Sequence, residues 1–411
     1  MLIPSLRLTA AADCSLVAID GPSERVVRWT ITAPDVPLLG AARSPLNLAL
    51  VVDRSGSMAG DKLAYARQAA NHVLDLLHAE DRVTLVVYDD VIEILAPSQL
   101  VTVANREALK AMLQTVTARG STNLGEGWLR GAGQVAEHLK PGSINRVLLL
   151  TDGLANKGIV AADELATHAR ELRQRGVSTS TFGVGADFNE QLLATMADDG
   201  GGHFYFIETP AQIPALFQQE LGELLTVVAR DPRLVISGPN QAAVDLLGGL
   251  PFEYDGDQLI VPLSHIFARE ERQIFLRAVV LPGVAGGRFP IRGELAYRDL
   301  SGDAQTAFAE VVFSYADPAA VAVAPIDLPL RQRAAEIRLS AIANQALKLK
   351  RDGRQREAVN AMREALASMA PLAAPAVAQN YDKLAKELDS PLSPAEVKAR
   401  HYEEYRKRKS R

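Results

Sequence analysis

From Leu46 to about Ala229 the chain alternates between two patterns. "LNLALVV" is a continuous apolar run, and from Asp61 onward Leu63, Ala66, Ala70, Val73, Leu74 and Leu77 recur at helical spacing. "RVTLVVYD", "RVLLLTD", "VSTSTFGVG" and "HFYFIE" read as further strands, with "VIEILAP" as a short partner for "RVTLVVYD". Arg106 to Val116, Leu124 to Leu139, Ala162 to Gln174 and Glu190 to Met196 repeat the second pattern. Aliphatic strands separated by amphipathic helices predict an α/β fold: a doubly wound, mostly parallel sheet covered on both faces. Ligands on such sheets bind at the carboxyl ends of the strands.

On either side the period shortens to that of half-buried strands. "LRLTAA", "SLVAID" and "ERVVRWTITAP" precede the α/β region, and "RLVISG", "AVDLLGG", "DQLIVPLSHI", "RQIFLRAVVLP", "RFPIRGELAYRD" and "TAFAEVVFSYA" follow it, divided by Gly, Asp and Pro turns. The first group is too short to fold alone. The simplest organisation is one all-β sandwich built from 1–45 and 230–318, with the α/β domain, 46–229, inserted between its early and late strands. A Pro-containing link leads to a helical segment, 328–411, whose apolar positions on both sides of Gly353 predict a helical hairpin. Lys398, Arg400, Arg406, Lys407, Arg408, Lys409 and Arg411 crowd the end, which reads as a solvated, frayed tail.

A length of 411 residues with 48% hydrophobic residues is enough for two or three domains. The formal net charge of -5 provides no overall basic field, so a nucleic-acid partner is not expected. No segment has the apolar length of a membrane helix and the start lacks a secretory pattern, so a cytoplasmic location is expected. The single cysteine, Cys14, sits among strand-like residues and reads as a buried, inert thiol. Seven histidines are scattered without ligand spacing, which gives zinc little support.

The candidate chemistry lies at the strand ends. In "LALVVDRSGSMAGDKL", Asp53, Ser55 and Ser57 occupy alternate positions between the first strand and the next helix. If this loop is extended, the three side chains point the same way. One carboxylate and two hydroxyls favour a hard cation, and a compact oxygen shell favours Mg2+ over Ca2+. The positive end of the following helix opposes a cation, and carboxylates must outweigh it. "TARGSTNLGEGW" adds Ser121 and Thr122 in a loop that opens a helix, and "RVLLLTDGLAN" ends a strand with Thr151 and Asp152. Taken singly, these residues read equally as helix N-caps and a turn.

Together, "DRSGS", the threonine of "GSTN" and "LLLTDG" resemble the metal-ion-dependent adhesion site, or MIDAS, of von Willebrand factor type A (VWA) domains. The likeness spans about Leu46 to Ala229, including "TFGVGADFN" and "GGGHFYFIE". The resemblance implies a Rossmann-like domain in which Ser55, Ser57 and Thr122 are hydroxyl ligands, and Asp53 and Asp152 bind the ion directly or through water. It further implies Mg2+, with Ca2+ or Mn2+ as alternatives, and a protein partner that supplies an Asp or Glu to complete the shell. The expected role is non-catalytic, in the assembly of an intracellular complex. The flanking sandwich and helical tail resemble the layout of bacterial proteins of this type and of inter-alpha-trypsin inhibitor heavy chains.

Other readings have weaker motifs. "GSMAGDK" fails the P-loop pattern, because Asp61 stands where the second glycine belongs and Leu63 follows Lys62. "GVGADF" puts Phe188 at the third glycine of a dinucleotide fingerprint. A metal-dependent phosphohydrolase with Asp53 as nucleophile meets Ser55 where haloacid-dehalogenase-like enzymes carry a second Asp. A scaffold whose ion only stabilises the loops is the remaining alternative. Linkage separates these readings, since a bound ion raises stability with its concentration.

Overall fold

The alternating residues near the start of the chain form strands β1 (Arg7–Ala12), β2 (Leu16–Ala18) and β3 (Ser23–Thr32), and β3 turns Val27, Trp29 and Ile31 fully inward. The computed structural model describes residues 5–35, 43–185, 187–238, 242–369, 372–390 and 393–408. The chain divides into two units, one taking Met1–Val36, Val228–Asp299 and Asp303–Arg411, the other Pro37–Val227 and Leu300–Gly302.

The second unit is the α/β core. Its elements in chain order are β4 (Leu46–Asp53), α1 (Asp61–Leu76), β5 (Arg82–Tyr88), β6 (Ile92–Leu100), α2 (Val103–Gln114), α3 (Leu124–Ala136), β7 (Ile144–Thr151), α4 (Ala162–Gln174), β8 (Ser178–Val184), α5 (Glu190–Asp199), β9 (Gly201–Ile207) and α6 (Ile213–Leu225). The sheet runs β6-β5-β4-β7-β8-β9, parallel except for the β5–β6 hairpin pair. Every residue of β4 and β7 is buried, as a strand covered on both faces requires. Helix α3 lies close over β5 because Gly127 has no side chain, where a Cβ would stand 2.6 Å from the Tyr88 ring. That approach fixes the loop before α3, which carries Thr122.

The first unit contains the sandwich. After α6 the chain forms β10 (Val227–Ser237), β11 (Ala242–Leu246), β12 (Glu253–Asp255), β13 (Gln258–Pro262), β14 (Ile266–Phe267), β15 (Glu271–Val280), β16 (Arg288–Arg298) and β17 (Ala304–Ala316). One sheet runs β1-β3-β15-β11, and the other β12-β13-β10-β16-β17-β2 with β14 beside β10. Early and late strands are thus neighbours, since β3 pairs with β15 along its whole length and β2 with β17. The inner faces share one core in which Trp29, Ile31 and Leu276 of one sheet meet Leu234, Leu295 and Phe313 of the other.

Helices α7 (Pro318–Ala322), α8 (Leu328–Arg351), α9 (Gln355–Met369), α10 (Pro375–Leu388) and α11 (Pro394–Arg408) complete this unit. Leu330, Ala334 and Ile337 of α8 pack on Phe275 at the outer face of the four-stranded sheet. Helices α8 and α9 form the expected pair flanking Gly353, and α10 adds Tyr381, Leu384 and Leu388 to their core. The basic end corrects the expectation of a solvated tail. It is helix α11, with Lys398, His401, Glu404 and Tyr405 buried. The Ser340 hydroxyl donates to the Glu404 carbonyl at 2.9 Å, and the Tyr381 hydroxyl to the Glu404 carboxylate at 2.5 Å. Lys409 and Arg411 lie outside the described residues. No helix among the described residues is long and apolar enough to cross a membrane.

Candidate metal centre

Asp53, at the end of β4, is fully buried and uses both carboxylate oxygens: the Ser55 N–H donates to Oδ1 at 2.8 Å and the Thr151 hydroxyl to Oδ2 at 2.7 Å. The loop that follows corrects the expected extended geometry, because Gly56–Met58 is a 3-10 turn pinned by buried Met58. The two serines still meet, with their Oγ atoms 3.1 Å apart, and the Ser57 hydroxyl donates to Asp152 Oδ1 at 2.7 Å. Asp152 is fully buried, whereas Ser57 is exposed, so the cluster opens to solvent on the Ser57 side.

Thr122 reaches the same place from the third loop. A Cβ built on Gly153 would lie 3.3 Å from Thr122 Oγ1 and 3.9 Å from Ser57 Oγ, so that glycine keeps open the space between the hydroxyls. The structure therefore brings Asp53, Ser55, Ser57, Thr122 and Asp152 together in one cluster. Helix capping does not explain them: the N-cap of α1 is Gly60 and that of α3 is Asn123, and neither makes a side-chain capping bond. The Ser55 side chain makes no capping bond to the 3-10 turn either. Two buried carboxylates facing three hydroxyls around a gap suit a hard cation with oxygen ligands.

Three features hold the cluster that the motif did not reveal. Lys62 of α1 places Nζ 2.5 Å from Asp152 Oδ2, a resident positive charge beside the acid. Buried Arg54 turns away from the cluster, with Nε 3.0 Å from Asp89 Oδ2 and a second nitrogen 2.8 Å from Glu93. Arg119 also donates to Asp89, and its backbone N–H bonds the Arg54 carbonyl, while the Gly56 N–H bonds the Gly120 carbonyl. These bonds tie the Asp53 loop to the Thr122 loop.

Burial pushes the Asp53 carboxyl up to about 6; the bonds from Ser55 and Thr151 oppose the shift and the neighbouring Asp152 adds to it. The site thus bears a buried negative charge that a divalent ion would offset.

A second group of possible ligands lies elsewhere in this unit. Ligand atoms of His203 in β9 and of Glu220 and Glu223 in α6 lie within 4.8 Å of one another. The histidine spacing gave no hint of it, because only helix α6 places the two glutamates one turn apart and next to β9. Glu220 is nonetheless heavily engaged. Its oxygens accept from Arg146 at 3.0 Å, Ser180 at 2.5 Å and Tyr205 at 2.8 Å, and His203 Nδ1 lies 2.8 Å away. Burial alone would raise its carboxyl, but the charges and bonds of His203 and Arg146 hold it far below the ordinary range. Both carboxylate oxygens are thus already engaged, Oε1 by Arg146 and Ser180 and Oε2 by His203 and Tyr205, so the group reads more simply as an ion-pair network.

Residues 47–219 match the family model described as von Willebrand factor type A domain. This segment has the VWA fold. The uncharacterized protein YfbK of Escherichia coli is 31% identical over 192 residues, which is 46% of this chain and 33% of that protein. The chain spans between a quarter and a half of the length of the curated relatives it matches first. Likeness of fold extends further than likeness of sequence. A von Willebrand factor type A structure from Catenulispora acidiphila superposes with a TM-score of 0.68 at 19% identity, over 88% of this chain and 87% of that one. The ArnB paralog VWA2 from Sulfolobus acidocaldarius gives 0.65 at 17% identity, over 97% and 98%. The VWA core flanked by antiparallel sheets and followed by helices is thus an architecture found in other chains.

Proposed function

We propose that Asp53, Ser55, Ser57, Thr122 and Asp152 hold a divalent cation, Mg2+ in preference to Ca2+ or Mn2+, and that the ion captures an Asp or Glu of a protein partner. The observation that carries this reading is the meeting of three loops, with Ser57 bonded to Asp152 and Thr122 beside Gly153. Hydroxyl ligands are neutral, so they fill positions around a cation without cancelling its charge and leave it attractive to an outside carboxylate. Leu154 and Val160, in the loop after β7 that also carries Asp152, are more than half exposed and supply apolar contact area for a partner.

In this proposal residues 46–229 are the binding module, and the sandwich parts, 1–45 and 230–318, with the helical segment, 328–411, are its mounting in an intracellular complex. A cytoplasmic location belongs to the same proposal, since one buried thiol, Cys14, needs no oxidising compartment. Binding is favoured over phosphoester hydrolysis because both Asp53 oxygens already accept hydrogen bonds, which blunts a nucleophile, and the residue two positions on is Ser55.

The test is calorimetric titration of the chelated protein with Mg2+, followed by capture of partners from native extract with and without chelator. Asp53→Ala should lose both the Mg2+ isotherm and the chelator-sensitive captures while the fold survives. Mg2+ binding that persists in Asp53→Ala would move the metal elsewhere, with His203 and Glu223 as the next place to look. Binding of the ion without any chelator-sensitive partner would leave the scaffold reading.

A further inference from the structure

Outside the VWA core, helix α8 and the outer face of the four-stranded sheet line a half-open cavity of about 180 Å³. Its apolar wall includes Val26 of β3, Leu247 after β11 and Ala334 of α8. Arg277, Arg331 and Arg338 line the rest, with Asp13 and Glu24.

The arginines are not equivalent. Arg331 is committed to Asp13, whose other oxygen accepts the Val26 N–H at 2.9 Å. Arg277 divides its guanidinium between Glu24 at 2.7 Å and Asp245 at 3.1 Å. Half-buried Arg338 has no hydrogen bond or ion pair among the described residues and acts on Glu24 only through its field. The bond from Arg277, and then the fields of Arg277, Arg338 and Arg331, hold the Glu24 carboxyl below its ordinary range against the effect of burial. A guanidinium offers a planar fork of donors that fits a carboxylate, and here it stands beside an apolar wall.

We propose that this cavity binds a small carboxylate with an aromatic or short alkyl body, its carboxylate on Arg338 and its body against Val26, Leu247 and Ala334. Size limits the ligand, because an apolar cavity of roughly 150 Å³ accepts a benzene ring. The space available here therefore suits an arene with one acidic substituent. The apolar contact gives affinity and the guanidinium selects for the anion, a division of labour usual in small-molecule sites.

The experiment is calorimetric titration of the full chain with benzoate, benzyl alcohol and inorganic phosphate, each in chelator. Benzoate should bind saturably at millimolar concentration, and the other two at least tenfold more weakly, since one lacks the charge and the other the ring. Arg338→Met should weaken benzoate about tenfold to a hundredfold, the loss of a charge-assisted pair, while Arg338→Lys should fall between the two. Asp53→Asn should leave benzoate binding unchanged, which separates this cavity from the metal centre. Equal benzoate affinity in Arg338→Met, phosphate binding as tight as benzoate, or no saturable benzoate binding in a folded wild-type chain would each overturn the assignment.

Discussion

Replacing Asp53 by Asn should make the metal-free protein more stable while abolishing its response to Mg2+. The Asp53 carboxyl rises from 3.8 to about 6 on folding, chiefly through burial. At about 1.4 kcal/mol per pH unit, ionised Asp53 costs the native state about 3 kcal/mol near neutral pH. The sign follows from proton counting. Between pH 3.8 and about 6 the native state holds a proton that the unfolded chain has released. Stability from this group is therefore full below the unfolded value, declines as pH rises through the window, and stays low above it. An Asn at this position still accepts the Ser55 N–H and meets the Thr151 hydroxyl without a charge. Urea unfolding of both proteins in chelator at several values between pH 4 and 7 reads the difference, with Trp128 of the VWA core as the fluorophore in a Trp29→Phe background. The variant should gain roughly 1–3 kcal/mol at pH 7, and the gap should close toward pH 4. Saturating Mg2+ should then stabilise only the chain that keeps Asp53. A variant less stable than its parent at pH 7 in chelator, or a gap that does not change with pH, would refute the idea of a carboxylate kept under electrostatic stress for a cation.

Other substitutions probe the neighbouring groups. Lys62→Met removes the ammonium from Asp152 and should tighten Mg2+ binding roughly threefold to tenfold by titration calorimetry, a modest effect because the lysine is partly solvated. Gly153→Ala puts a methyl group 3.3 Å from Thr122 Oγ1 and should weaken Mg2+ at least tenfold with little change in thermal midpoint. Glu220→Gln breaks the fully buried ion pair with Arg146 and should destabilise the core by about 3–5 kcal/mol, while the Mg2+ isotherm of the folded fraction stays as in wild type. Unchanged stability in that variant would contradict the ion-pair reading and revive a metal role for the cluster.

Much of the VWA core was legible because its central strands β4 and β7 are buried on both faces and so are written as nearly unbroken aliphatic runs. Helix α4 has the bounds that its apolar spacing predicts, Ala162–Gln174. Helix α6 was harder to see. Pro214 reads as a breaker, yet it stands in the first turn, where a missing N–H leaves no hydrogen bond unmade. In α11 abundant charge conceals the spacing of His401 and Tyr405, and the burial of Lys398 and Glu404 appears only when α8 and α10 lie alongside. At the candidate metal centre the motif named the oxygen-bearing residues but not what holds them. Lys62 reaches Asp152 across 90 positions of sequence, and Arg54 looks like a spacer between two motif residues until Asp89 is placed beside it. Long-range pairs of this kind leave no periodic trace.

The pairing of β3 with β15 orders events during synthesis. All six strands of the VWA sheet lie between these two partners in the chain, so they are translated before β3, already beside β1, can find β15. The nascent chain can thus finish its VWA core while β1, β2 and β3 still wait with open edges, at risk of joining a foreign sheet. A ribosome that stalls before Glu271 releases a folded core whose first strands, β1 on β3 and the lone β2, lack the β15 and β17 edges they join, and a protease could recognise that difference.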